Sequence, residues 1–300
     1  MKFAVAGASG FIGSALGLRL EAEGHEVLRL VRRPVERPGE IEWHPASCDV
    51  EQRQALEGLD GIVNFGGSNL GAGRWTARRK DEILRSRVES TRTLVAMMTR
   101  LNHRPAVFVC SSAVGFYGDR AEEELTEQSS PGQGFLAEVC RAWEEEARIA
   151  EIVGIRTVML RLGMVLGRGG GALARLAPIF RAGCGGPLGA GRQWVSWIAL
   201  DDVVGAIVHV LKLRDLTGPV NAVAPNPVRN AEFSEALARA LGRRTLAAVP
   251  AFLLRAIYQE MADEMLLAST RVRPQRLIDS GFPFAHPELG GAFHAVFEPK

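Results

Sequence analysis

Lysine and tyrosine are scarce in this 300-residue chain, which has four lysines (Lys2, Lys80, Lys212, Lys300) and two tyrosines (Tyr117, Tyr258). The other 32 of its 36 basic residues are arginine. Arginine is the better group for fixed contacts to phosphate or carboxylate, although genomic composition alone produces the same skew. The four cysteines (Cys48, Cys110, Cys140, Cys184) lie far apart with no Cys-x-x-Cys pair. That pattern argues against a disulfide framework and against zinc. The six histidines show no His-x-x-x-His spacing, so no metal site is expected. No run of 18 apolar residues occurs, and no membrane association is expected. The apolar stretch Phe3 to Leu20 is interrupted by Gly7, Gly10, Gly13 and Gly17, unlike the core of a signal peptide. A cytoplasmic protein is the expectation. With a net charge of +2, the chain lacks the basic excess of a nucleic-acid binder.

What is present is alternation. Short apolar runs at Phe3–Ala6, Glu26–Val31, Ile41–His44, Gly61–Phe65, Ala106–Ser111 and Ile155–Leu162 predict strands. Between them, Phe11–Glu23, Arg78–Leu101 and Phe135–Val153 predict helices. Strands alternating with helices imply right-handed crossovers and a doubly wound parallel α/β sheet of Rossmann type. From Gly167 glycines cluster, and helices follow at Asp201–Arg214, Asn230–Leu241 and Pro250–Ala268, with a returning strand at Pro219–Val223. The expected organisation is a nucleotide-binding domain over residues 1–166 and a smaller, mainly helical substrate lobe over 167–300, partly interleaved.

The strongest motif is Gly7-Ala-Ser-Gly10-Phe-Ile-Gly13, between the first strand and the first helix. Glycines there permit a tight turn and close approach of the backbone to a pyrophosphate. The following helix aims unpaired N–H groups and its positive dipole end at the anion. At the end of the second strand, NAD-selective sites place an acid for the ribose 2′-hydroxyl. This chain has Arg32 and Arg33 instead, and two guanidiniums suit a 2′-phosphate. NADP, with NADPH preferred over NADH, is the expected cofactor.

The Gly-x-x-Gly-x-x-Gly spacing resembles that of the extended short-chain dehydrogenase/reductases. The resemblance implies a serine followed by Tyr-x-x-x-Lys. The serine has a counterpart in Ser111-Ser112, but the tyrosine segment aligns with Phe135-Leu-Ala-Glu-Val139, so the usual proton relay is absent. Replacement acids are Ser112, Tyr117, Glu138 and Cys140, of which Ser112 and Tyr117 are the catalytic candidates.

Further segments sharpen the likeness: Asn64-Phe-Gly-Gly67, Gly73-Arg-Trp-Thr76, Ser86-Arg87-Val88, Ser111 to Gly118, Trp143-Glu144, Arg161 to Gly167 and Gln193 to Ile198. Together they resemble the atypical short-chain dehydrogenase/reductases called the epimerase family, over nearly the whole chain. That resemblance implies NADP binding without a settled substrate. It implies cofactor contacts from Gly7, Ser9, Gly10, Phe11, Ile12 and Gly13 at the pyrophosphate, and from Arg32 and Arg33 at the 2′-phosphate. Phe65, Gly66 and Gly67 would lie at the adenine-side ribose, and Ser111, Ser112, Arg161 and Leu162 at the nicotinamide half. Arg74, Trp75, Arg87, Trp194, Ser196 and Trp197 are the substrate candidates, an aromatic and cationic set that suggests a planar or acidic ligand, with packing the competing role. Two functions stay open: an oxidoreductase or epimerase-like enzyme acting on a small polar metabolite, and an NADPH-binding regulator without turnover.

Overall fold

A computed structural model describes residues 1–45 and 50–297; Cys48 and Lys300 fall outside the described residues. Seven strands form the main sheet: β1 (Lys2–Ala6), β2 (Glu26–Val31), β3 (Glu40–Glu42), β4 (Gly61–Asn64), β5 (Val107–Ala113), β6 (Arg156–Leu162) and β7 (Gly218–Ala222). Their spatial order is β7-β6-β5-β4-β1-β2-β3. The pairs β1–β2, β1–β4, β2–β3 and β4–β5 are parallel, with Phe3 between Val27 and Gly61. Phe3 through Ala6, Ile62–Val63 and Val107–Cys110 are buried, as continuous apolar runs must be in a sheet covered on both faces.

The helices are α1 (Phe11–Ala22), α2 (Val50–Gln54), α3 (Ala77–Thr99), α4 (Phe135–Arg148), α5 (Leu173–Arg181), α6 (Leu200–Lys212), α7 (Asn230–Ala240), α8 (Ala251–Tyr258), α9 (Gln275–Asp279) and α10 (Leu289–Phe297). Thr76 starts α3 by accepting the Arg79 N–H (3.2 Å), a side-chain cap that satisfies one orphan donor. No helix among the described residues is long and apolar enough to cross a membrane.

Contacts divide the chain into two interleaved units. The first comprises Met1–Ser112, Val139–Leu160 and Val204–Val220. Its core joins Ala4, Leu30, Ile62, Leu94, Met98, Phe108, Trp143 and Met159. The second comprises Ala113–Glu138, Arg161–Val203 and Asn221–Lys300. It centres on Trp197, Phe180, Phe233, Leu237 and Phe293.

The sequence reading differs from the structure mainly in the second half. The helix expected over Pro250–Ala268 is broken: α8 stops at Tyr258, Gln259 adopts φ 53°, and a π-helical turn covers Ala262–Leu266. A left-handed residue cannot continue a right-handed helix. Four helices went unread: α2 and α9 have only five residues each, and glycines crowd the sequence beside α5 and α10.

Candidate functional site

The glycine loop closes on itself. Gly10 N–H donates to Gly7 O (2.9 Å), and Ser14 N–H donates to Gly10 O (2.9 Å) to open α1. A Cβ on Gly13 would lie 2.3 Å from Gly7 O, a distance no other residue type tolerates. Gly10 caps α1 without any side-chain hydrogen bond, so its first-turn N–H groups and dipole face outward past Ser9 and Gly10. Phe65, at the end of β4, donates its N–H to Ala6 O (2.9 Å). A Cβ on Gly7 would meet the Phe65 backbone at 3.0 Å. The loop Gly7–Gly13 and the segment Phe65–Gly67 are thus brought together. Their strut is Asn64, fully buried, which donates to Thr91 Oγ1 (2.9 Å) and accepts the Gly66 N–H (2.8 Å). The sequence signal for it was a lone polar residue closing an apolar strand.

Arg87, on α3, lies against Gly67: a Cβ there would sit 3.1 Å from the guanidinium carbon. Its Nη1 donates to Ile83 O (3.1 Å), and its guanidinium carbon lies 5.2 Å from the centre of the Trp143 ring. Burial lowers its pKa to about 10. Arg74 is exposed, whereas Trp75 is buried and donates its indole N–H to Leu70 O (2.9 Å).

The two arginines after β2 differ. Arg32 is exposed and forms no ion pair among the described residues. Arg33 donates to both oxygens of Glu40, at 2.7 and 3.1 Å, and lies 3.2 Å from Glu36. The paired phosphate contact expected of both therefore finds only one uncommitted guanidinium.

At the end of β5, Ser111 and Ser112 are buried, and Ser112 Oγ donates to Glu144 Oε1 at 2.7 Å. Glu144, on α4, is 3% exposed. The sequence marked Glu144 only as part of a family segment, because helix position alone does not show which strand residue it meets. Of the other acids considered, Glu138 is exposed and Cys140 is buried. On the same strand, burial pushes the Cys110 thiol up to about 12.

In the second unit, Tyr117 is 0% exposed. Its hydroxyl donates to Asn221 Oδ1 (2.7 Å) and accepts from Arg161 Nη1 (2.9 Å). Burial raises its pKa to about 12, the opposite of a tyrosine prepared to give up a proton. Arg161, also buried, places its guanidinium 3.4 Å from the centre of the Phe116 ring, within cation–π range. Tyr117, one of the two expected proton donors, is thus tied to Asn221 and Arg161 in one buried network. Leu162 is half-buried.

Trp197 is a 0% exposed core residue whose indole N–H donates to Asn226 O (3.1 Å). Ser196 Oγ donates to Thr270 O (2.7 Å) and accepts the Val272 N–H (2.9 Å). Like Trp75, these two substrate candidates are buried and hydrogen-bonded within the fold. Trp194 stays half-buried, with Arg229 4.0 Å and Arg271 4.8 Å from its ring centre. Its indole N–H donates to Glu122 (3.0 Å). The Arg229 and Trp194 hydrogen bonds hold the Glu122 pKa down at about 2.

A cavity of about 280 Å³ opens in this unit beside the start of α4, walled by Gly115, Gly118, Gln133, Leu136, Glu264 and Thr270 among others. Glu264 comes from the π-helical turn, and its two oxygens accept the N–H groups of Phe135 (2.7 Å) and Leu136 (2.8 Å). Gly134 makes room for it: with φ 101°, it would place a Cβ 2.4 Å from Glu264 Oε1. Sequence reasoning missed Glu264, which lies about 130 residues away in the chain. A larger cavity of about 520 Å³ lies along α5 and the end of α10, between Arg168 and Arg181.

Comparison with known proteins agrees with this architecture. The NAD dependent epimerase/dehydratase family model matches residues 3–222, and a domain of unknown function, DUF1731, matches residues 249–296. An epimerase family protein of Mycobacterium leprae is 40% identical over 298 residues, 99% of this chain and 96% of the relative. The human epimerase family protein SDR39U1 is 36% identical, with 99% of each chain covered. A crystal structure of human SDR39U1 (isoform 2) with NADPH superposes with a TM-score of 0.91 at 35% identity, covering 99% of both chains. The nucleoside-diphosphate sugar epimerase from Corynebacterium glutamicum gives a TM-score of 0.82 at 34% identity, over 99% of this chain and 58% of that one. With its Rossmann-type sheet, its glycine loop and this full-length likeness, the chain belongs to the NAD dependent epimerase/dehydratase family.

Proposed function

We propose that this chain binds NADP(H) and acts as an atypical short-chain dehydrogenase/reductase on a small polar metabolite. The observation that carries the reading is the glycine loop, where Gly13 leaves no room for a Cβ and α1 opens on Gly10 without a side-chain cap. The NADPH in the human relative's crystal structure supports the same cofactor. Gly7, Ser9, Gly10, Phe11, Ile12 and Gly13 would hold the pyrophosphate on the α1 N-terminus, with Phe65, Gly66 and Gly67 toward the adenine-side ribose. When bound, NADPH supplies a hydride to an electrophilic carbon.

The proton chemistry falls to Ser112. Its hydroxyl donates to Glu144 Oε1, which leaves the serine lone pairs as acceptors. In the alcohol-to-carbonyl direction, a substrate hydroxyl proton passes to Ser112 Oγ as the serine proton passes to Glu144. The reverse transfer serves reduction.

A second reading, an NADPH-binding regulator without turnover, is favoured by Phe135 and Val139 standing where the superfamily has tyrosine and lysine. Titration of reduced-nicotinamide fluorescence with NADPH and NADH, then a screen of carbonyl metabolites for NADPH oxidation, separates the two. Oxidation by any compound establishes the enzyme, and tight binding without turnover across the screen favours the regulator. Gly10 has an ordinary φ of −78°, so Gly10→Val is expected to fold and to lose NADPH affinity. Normal affinity in that variant defeats the assignment of the loop.

A further inference from the structure

β3 runs beside β2 with Glu40 opposite Arg29, and this register places the Glu40 carboxylate under the segment that follows β2. Its side chain is 4% exposed. Four donors converge on it: Arg33 Nη2 (2.7 Å) and Nη1 (3.1 Å), and the backbone N–H groups of Glu36 (3.0 Å) and Arg37 (3.2 Å). Arg33 Nη1 donates also to Pro34 O (3.0 Å). One carboxylate thus ties down the whole turn from Arg33 to Arg37.

An acid in this region of a Rossmann fold ordinarily serves the ribose 2′-hydroxyl of NAD. Glu40 does not meet that description, because its oxygens face their own loop. For Arg33 to reach a phosphate, it would have to give up both of its hydrogen bonds to Glu40 and its contact with Glu36. Arg33 is already neutralised by Glu40 and Glu36. Arg32, one residue earlier, is exposed with no ion pair among the described residues.

We infer that Glu40 is the positioning residue for dinucleotide choice in this chain: it holds Arg33 as part of the loop and leaves Arg32 as the group that recognises the 2′-phosphate. The inference rests on the NADP(H) reading above. It divides labour between two arginines that the sequence treats as equivalent. The hydrogen bonds from Arg33 also hold the Glu40 carboxyl below the ordinary carboxylate range, which keeps this clamp ionised at neutral pH.

The experiment is fluorescence titration of the full chain with NADPH and NADH, for wild type, Arg32→Gln, Arg33→Gln, Glu40→Gln and the Arg33→Gln/Glu40→Gln double variant. A parallel calorimetric titration uses 2′,5′-ADP against 5′-AMP, so that the phosphate is probed without the nicotinamide. Arg32→Gln is expected to weaken NADPH and 2′,5′-ADP by about 10- to 100-fold, the worth of a charge-assisted contact, with NADH and 5′-AMP unchanged. Arg33→Gln and Glu40→Gln are each expected to narrow the NADPH-to-NADH ratio by a smaller factor. The double variant is expected to match either single, because the two side chains act as one unit. Arg33→Gln reports on the clamp even where Glu40→Gln fails to fold.

Loss of NADPH preference in Arg33→Gln with Arg32→Gln silent overturns the inference, as does tighter NADPH binding in Glu40→Gln, which would make Glu40 a competitor of the phosphate. Equal wild-type affinity for NADPH and NADH overturns it while leaving nucleotide binding intact. Wild-type failure to bind either nucleotide defeats both readings.

Discussion

Arg161 donates to the Tyr117 hydroxyl at 2.9 Å, and that hydroxyl donates onward to Asn221 at 2.7 Å, so one of the two tyrosines of the chain is a buried structural link. Tyr117→Phe removes both bonds and is expected to cost about 1–3 kcal/mol in denaturant unfolding, with NADPH affinity unchanged. An unaltered midpoint would contradict the network.

The same tyrosine gives an alkaline prediction. Its folded pKa is raised by burial to about 12, above the ordinary 10. Its contribution to stability is therefore complete below pH 10 and is lost as pH rises from 10 through 12, where the unfolded chain releases the proton first. Unfolding followed across that window is expected to show a steeper loss in wild type than in Tyr117→Phe. Equal slopes would place the ionisation elsewhere.

Ser112 and Glu144 are expected to act together. With a carbonyl substrate in hand, Ser112→Ala and Glu144→Gln should each lower kcat by about 10²–10⁴, the usual range for a lost general acid or base, with KM little altered. The double variant should be no slower than the worse single. Near-wild-type kcat in Ser112→Ala would assign the proton to another group.

Arg229 and Glu122 make an acid-side case. Hydrogen bonds from Arg229 and Trp194 lower the Glu122 pKa from 4.5 to about 2. The contribution of the carboxylate is therefore present above pH 4.5 and lost as pH falls through about 2. Carboxyl NMR of Glu122 is expected to titrate near 2 in wild type and to move upward in Arg229→Ala. A midpoint unmoved by that substitution would remove Arg229 as the cause.

Glu264 and Gly134 form a matched pair at the start of α4. Glu264→Ala removes the cap on two N–H groups, a loss worth about 0.5–2 kcal/mol. Gly134→Ala meets both the positive φ and the carboxylate, and is expected to cost more. Thermal melts of the two singles and the double should show the Gly134→Ala penalty shrinking in the Glu264→Ala background. A fully additive pair would mean that the carboxylate and the glycine do not meet.

The sheet, the glycine loop and the family were legible in the amino-acid sequence alone. Four of the six strands expected before Gly167 lie within about a residue of their observed ends and the other two within two residues, because a doubly covered sheet needs unbroken apolar runs and the chain writes them locally. The loop was legible because its glycines are a local requirement of the turn into α1. What tertiary structure decided is which polar side chains meet. Glu40 claims Arg33 through strand register, Glu144 reaches Ser112 from a helix, and Glu264 caps α4 from another part of the chain. The fold likewise buries Tyr117, Trp75, Ser196 and Trp197 and gives each a hydrogen-bond partner that its place in the sequence does not show. Hydrogen bonding and burial are properties of the folded neighbourhood, and a residue's type and spacing do not disclose which neighbour will satisfy it.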